Sequence, residues 1–159
     1  MTISLCMIVK NEEANLVDEM IIVDTGSADA TVSVAKSYGA KVLYFPWNGN
    51  FSDARNFGLR QANGDYLMIM DADDEMEKLE KSDIGDMVGA TGADAYFFET
   101  ISYVGEQPGM DVLKNMNVRL MKNHMGYFFT NAIHEQIYCN IIAANPSAQI
   151  VNCDMKVYH

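Results

Sequence analysis

Positive charge is scarce in this sequence: 11 Lys and Arg stand against 22 Asp and Glu, a net charge of −11 at pH 7. Bulk nucleic-acid binding needs a basic face, so that class is excluded. The same charge repels a phosphate-bearing ligand, a conflict that a divalent cation would resolve. Cysteine is also sparse. Cys6, Cys139 and Cys153 are odd in number, widely spaced and form no CxxC pair. This excludes a disulfide framework and a zinc knuckle, and leaves small buried hydrophobes in a reducing cytosol as the expectation. No apolar run approaches the roughly 20 residues that span a bilayer. The start, Met1 to Lys10, is strand-like, with no basic leader or small-residue cleavage site, so no signal peptide is expected.

What is present suits one soluble domain: 159 residues, 49% hydrophobic and 21% charged. Ile3 to Val9, Met20 to Val23 and Tyr66 to Met70 are near-continuous apolar runs, the pattern of parallel strands covered on both faces. A shorter strand is expected over Lys41 to Phe45. Helical patterns alternate with these. Ser27 is positioned to cap a helix running to about Tyr38, with Val32, Val34 and Ala35 as its apolar stripe and Gly39 as its stop. Ser52 is positioned to cap another, with Ala54, Phe57 and Leu59 inward and Asn63-Gly64 at its end. This alternation is the mark of an open, mostly parallel sheet. Beyond residue 75 the pattern loosens into a short helix over Ser82 to Val88 and strands over Ala95 to Tyr103, Asn117 to Met121, Ile133 to Tyr138 and Ile150 to Tyr158. Gly105 to Gly109 reads as an exposed loop. The connection between the first two strands is too short for a usual crossover helix, so a helix is expected to be missing between Leu16 and Val17.

Carboxylates gather where strands end. Asp71-Ala72-Asp73-Asp74-Glu75 directly follows the third long strand. Packing these acids together costs Coulomb energy. The C-terminal end of a buried strand is also where open α/β sheets bind ligands. Mn²⁺ or Mg²⁺ would offset the repulsion through oxygen ligands. An EF-hand loop is a poor rival, because Met76 stands where its glycine is required. A phosphatase loop of the haloacid-dehalogenase type would continue with apolar residues rather than Asp74-Glu75. Asp24 ends the second strand before Thr25-Gly26-Ser27. There it either accepts the imide N–H of a uracil-like base or simply caps the next helix. Lys10-Asn11-Glu12-Glu13 would line the same edge. Arg55 lies near a helix start, where it either reaches a phosphate or makes a surface salt bridge. Trp47 and Phe51, flanking Asn48-Gly49-Asn50, are expected to pin a loop to the core.

The runs Cys6–Glu13, Ile22–Ser27, Ala54–Asn56, Gly64–Asp65 and Asp71–Asp74, in this order and spacing, resemble family 2 glycosyltransferases of the GT-A fold. Asn117-Val-Arg-Leu-Met121 and Ile133-His-Glu-Gln-Ile137 resemble the subgroup whose first strand ends in KNEE. The resemblance implies a Rossmann-like α/β sheet with helices on both faces and a smaller β-rich C-terminal portion. Residues 1–75 would form the nucleotide-sugar half and 76–159 the acceptor half of one domain, in a cytoplasmic protein or one peripheral to the inner face of the membrane. It implies that Asp24 reads the base, that Glu12 or Glu13 and Arg55 hold the nucleotide, that Asp71 contacts the ribose side, and that Asp73 ligates Mn²⁺ or Mg²⁺. His159 is expected as a further metal ligand, with His134 the alternative. Glu135 is the first choice for the base that takes the acceptor proton, and Asp74 the second. The donor would be a nucleoside-diphosphate sugar, UDP-linked by preference, and the acceptor a saccharide, a lipid-linked saccharide or a protein. Relatives continue past the position of His159, so a further acceptor-binding part is expected there. Two rival readings are a non-catalytic nucleotide-sugar-binding module and a sugar nucleotidyltransferase. The second would want a glycine-rich basic loop where Lys10–Glu13 is acidic.

Overall fold

A computed structural model of the chain describes residues 1–7, 17–76, 79–104 and 111–159. In chain order the described elements are β1 (Ile3–Met7), β2 (Glu19–Asp24), α1 (Thr31–Ser37), β3 (Lys41–Tyr44), α2 (Phe51–Leu59), β4 (Tyr66–Ile69), β5 (Glu75–Met76), α3 (Lys81–Thr91), β6 (Ala95–Val104), β7 (Asp111–Lys122), α4 (Tyr138–Ala144) and β8 (Ile150–Tyr158). The strands form one sheet in the order β3-β2-β1-β4-β7-β6-β8-β5. β1, β2, β3 and β4 run parallel; β7 opposes β4 and β6; β8 follows β6, and β5 opposes β8.

The apolar runs of the central strands are explained by two cores. Successive side chains on a strand point to opposite faces. Met20 and Ile22, with Tyr66 and Met68, enter one core beneath Ala35 of α1 and Ile84 and Val88 of α3. Ile21, Leu67 and Ile69 enter the other beneath Leu59 of α2 and Ile141 of α4. Helices therefore cover both faces, as the mixed α/β reading expects. Full burial of a side chain such as Ile21 or Met68 contributes about 1.5–3 kcal/mol relative to exposure. Buried Ser4 is satisfied twice: its hydroxyl donates to Glu19 and accepts from the Gly64 N–H, both at 2.7 Å. Gly64 is required for that approach, since a Cβ there would lie 2.6 Å from the Ser4 nitrogen. No helix among the described residues is long and apolar enough to cross a membrane.

Several local expectations are corrected. Ser27 does not cap α1, which begins at Thr31; Asp24 Oδ1 instead accepts the Ser27 N–H at 3.1 Å across a turn in which Gly26 takes φ +119°. Of the stripe expected on α1, only Ala35 is buried. Asn50 rather than Ser52 caps α2, accepting from Asp53 N–H. Phe57 is only half-buried and packs on Phe45. Residues 133–138 are not a strand: Asn131 (φ +77°) and His134 (φ +55°) turn left-handed, leaving a single bridge between Thr130 and Gln136 before α4 starts at Tyr138. β7 begins six residues earlier than expected, because Asp111–Asn117 is exposed and carries no burial pattern. The first strand's last two expected residues, the Lys10–Glu13 segment with Glu12 and Glu13, the Leu16 side of the proposed break and the Gly105–Gly109 loop lie outside the described residues.

Candidate functional site

Strand direction assembles the site. β2, β4 and β8 all deliver their C-terminal ends to one rim: Thr25 after β2, Asp71 to Asp74 after β4, and His159 after β8. The two-residue strand β5 sets the last of these. It pairs with β8 as Glu75↔Tyr158 and Met76↔Val157. One step further along that antiparallel ladder, Asp74 falls opposite His159, and His159 Nδ1 lies 3.1 Å from Asp74 Oδ1.

From there an ionic chain runs through the rim. Arg119 Nη1 on β7 sits 2.7 Å from Asp74 Oδ2 and 3.2 Å from Asp71 Oδ2. Arg55 on α2 donates to the other Asp71 oxygen and, through Nε at 2.6 Å, to Glu135. Burial alone would raise the Asp71 pKa, but the two flanking guanidinium groups hold it below its ordinary value. For Arg55, burial acts downward, and the carboxylates of Asp71 and Glu135 hold its pKa above the ordinary value. Among the described residues the buried Nε–H of Arg119 has no hydrogen-bond partner.

α2 also clamps the segment that carries Glu135. The Asn56 amide donates to the Phe129 carbonyl at 2.9 Å and accepts its N–H at 2.7 Å. The Ser52 hydroxyl donates to the Asn131 carbonyl, and Phe51 N–H donates to Ala132. The residue that failed to cap the helix thus ties it to the loop.

These groups border a cleft of about 480 Å³, lined by Val23, Thr25, Trp47, Arg55, Asp71, His134, Glu135 and His159, among others. Of the residues expected from sequence, Arg55, Asp71, His134, Glu135 and His159 meet in its wall. Asp24 is buried and closes its turn onto Ser27, while its neighbours Val23 and Thr25 line the cleft. Asp73 is exposed, with 71% of its side-chain surface free, and its Oδ1 lies 3.5 Å from His159 Nδ1. Asp74 has a side-chain exposure of 0%, enclosed by Arg119, His159 and the Asp71 N–H. Trp47 and Phe51 pack edge to face at 4.8 Å, but both stay nearly half exposed on the cleft instead of sinking into the core. Cys6 also touches the cleft; burial, and then the charge of Glu19, push its thiol up to about 12 against the pull of Arg55. It is therefore a thiol and not a nucleophilic thiolate. Among the described residues, donor atoms of Asp71, Asp74 and His159 lie within 4.8 Å of one another. The two carboxylates are hard oxygen donors that suit Mn²⁺ or Mg²⁺, and the imidazole, a borderline nitrogen donor, is accepted more readily by Mn²⁺.

Two residues that hold the site together were assigned no role from sequence. Arg119 was visible only as part of a motif. Its signal is a charge inside the wholly buried run Val118–Met121, which requires a paired partner. Asn56 was likewise visible only as part of the run Ala54–Asn56, and its partner Phe129 is 73 positions away.

The geometry has relatives. The model of Glycosyl transferase family 2 matches residues 4–146. A TPR repeat-containing protein of Synechococcus elongatus is 32% identical over 151 residues, covering 89% of this chain and 36% of its own length. An uncharacterized glycosyltransferase of Rickettsia typhi is 30% identical over 155 residues, covering 88% of this chain and 52% of its own. The chain thus spans about a third to a half of these relatives. Among solved structures, S. aureus TarS superposes with a TM-score of 0.73 at 16% identity, covering 100% of this chain and 60% of that one. Glucosyl-3-phosphoglycerate synthase of Mycobacterium tuberculosis gives 0.62 at 17% identity, covering 96% and 68%. The fold is that of the GT-A glycosyltransferases, and the chain belongs to glycosyl transferase family 2.

Proposed function

We propose that this chain binds a nucleoside-diphosphate sugar, UDP-linked in the first instance, and transfers the sugar to an acceptor hydroxyl with inversion. The observation that carries this reading is the cleft in which Arg55, Asp71, Glu135 and His159 converge from four different parts of the chain. Two further points support it. TarS has been solved in complex with UDP, and the mycobacterial synthase with Mn²⁺ and UDP. In this reading residues 1–75 are the donor half and 76–159 the acceptor half.

Asp24, at the β2 end, takes the base side of the nucleotide, and Glu12 or Glu13 and Arg55 would help to hold it. Asp71, held between two arginines, faces the ribose. Asp73 and His159 would hold the cation, joined by Asp71 and Asp74, whose donor atoms lie within 4.8 Å of that of His159, with His134 as the alternative imidazole. A bound Mn²⁺ or Mg²⁺ would neutralise charge on the departing diphosphate. Glu135 accepts the acceptor proton as the hydroxyl oxygen bonds to the anomeric carbon and the carbon–oxygen bond to the diphosphate breaks. Arg55, 2.6 Å from Glu135, is its positioning residue. Asp74, with no exposed side-chain surface, is proposed as a positioning residue for Arg119 and His159 in place of the base role.

Trp47 is the chain's single tryptophan and lines the cleft, so its emission reports occupancy directly. Titration with UDP, GDP and dTDP, with Mn²⁺ or with chelator, should change the emission for UDP when metal is present. Glu135→Gln should keep that response and lose sugar transfer. Silence with all three nucleotides removes the donor reading, and unchanged turnover in the variant removes Glu135 as base. Binding without transfer or donor hydrolysis in the wild-type chain would favour the non-catalytic module.

A further inference from the structure

A second cavity, of about 270 Å³, shares a wall with the first. Arg55, Ile69, Asp71, His134 and Glu135 line both. Its remaining lining comes from the acceptor half and includes Phe97 of β6, Asn117 and Arg119 of β7, Phe129, Gln136, and Tyr138 at the start of α4, with apolar neighbours between them. We propose that this cavity is the acceptor subsite and that its occupant is a neutral sugar ring. The inference rests on the transfer reading above, since it needs Glu135 to face a donor on one side and an acceptor on the other.

Charge argues against an anionic acceptor. The two guanidinium groups of the cavity, Arg55 and Arg119, are matched by Asp71 and Glu135, which leaves no surplus positive charge for a phosphate or carboxylate. The lining argues against a lipid tail, because Arg55, Asp71, Asn117, Arg119, Glu135 and Gln136 put charged and amide groups around the cavity. Side-chain chemistry argues for a sugar. The rings of Phe97 and Tyr138 lie 5.5 Å apart at 41°, and Tyr138 remains 43% exposed. An open aromatic face takes the C–H face of a pyranose, and its neighbours Asn117 and Gln136 bring amides suited to hydroxyl groups.

The test is saturation-transfer NMR on the whole chain with no donor present. The probes are the methyl glycosides of glucose, galactose and N-acetylglucosamine, set against glycerol 3-phosphate and a Ser/Thr peptide. At least one glycoside should bind saturably and more tightly than the phosphate or the peptide. Tyr138→Ala and Gln136→Ala should each weaken it by roughly three- to tenfold, and Tyr138→Phe should restore it. The Trp47 response to UDP should stay within about twofold in every variant, because Tyr138 and Gln136 do not line the first cleft. The proposal is overturned if no glycoside binds, if phosphate or peptide binds tighter, or if both alanine variants leave glycoside affinity unmoved. UDP binding without glycoside binding would sink this inference alone. Glycoside binding without any nucleotide response would sink the transfer reading, and the acceptor role with it.

Discussion

Arg119 lies between two carboxylates, with Asp74 at 2.7 Å and Asp71 at 3.2 Å from the same nitrogen. Removing the guanidinium leaves Asp74 charged and buried without its main partner, whereas a surface pair would lose little. Arg119→Met is therefore expected to lower stability by about 3–5 kcal/mol, read from urea denaturation; a loss below about 1 kcal/mol would match an exposed pair instead. Asp71 makes a separate prediction. Its folded pKa is depressed, so the stability it contributes is present above the ordinary aspartate value of 3.8 and is lost as pH falls through the lower folded value. The stability difference between wild type and Asp71→Asn should shrink as urea midpoints are followed from about pH 6 to about pH 2. A gap that stays constant would mean that the two arginines do not act on Asp71. At this scale the acids were legible in the sequence as a cluster at a strand end. Their different fates were not: Asp73 stays in solvent and Asp74 is enclosed, although they are adjacent.

At the scale of elements, α2 and the segment 129–136 behave as one unit. Asn56 answers both polar groups of the Phe129 peptide, and Ser52 and Phe51 hold the next two carbonyls but one along. Asn56→Ala should cost about 1–3 kcal/mol, since it strands a part-buried N–H and carbonyl. It should also speed amide exchange at Phe129 more than in the β1–β4 ladder, measured by hydrogen-exchange NMR. Equal protection at both places would show that the clamp does not control the loop. β1, β2 and β4 were legible because a strand between two helical layers must be apolar throughout. The distal part of β7 was hidden because both its faces meet solvent. β5 was hidden because two residues carry no periodicity, and its existence depends on β8 arriving beside it.

For the whole molecule, the net charge of −11 opposes an anionic nucleotide wherever on the surface it approaches. Without metal, raising ionic strength from about 0.05 M to about 0.5 M screens that repulsion, so UDP affinity should rise. With Mn²⁺ present, the attraction between cation and diphosphate dominates and the dependence should reverse sign. Trp47 emission reads both arms, and the same slope with and without metal would remove the cation from nucleotide binding. This prediction belongs to the whole chain, because within the site the charges of Arg55 and Arg119 nearly balance those around them.

The sequence by itself determined the sheet's central strands, the alternation with helices and the acid-rich turn at a strand end, since each is written in residues a few positions apart. Tertiary structure decided which acid meets which cation. Asp74 reaches His159 across 85 positions, Arg55 reaches Glu135 across 80, and Arg119 reaches Asp71 across 48. Such pairs depend on strand order and register, which follow from burying two cores at once and leave no mark on the local composition of any one segment.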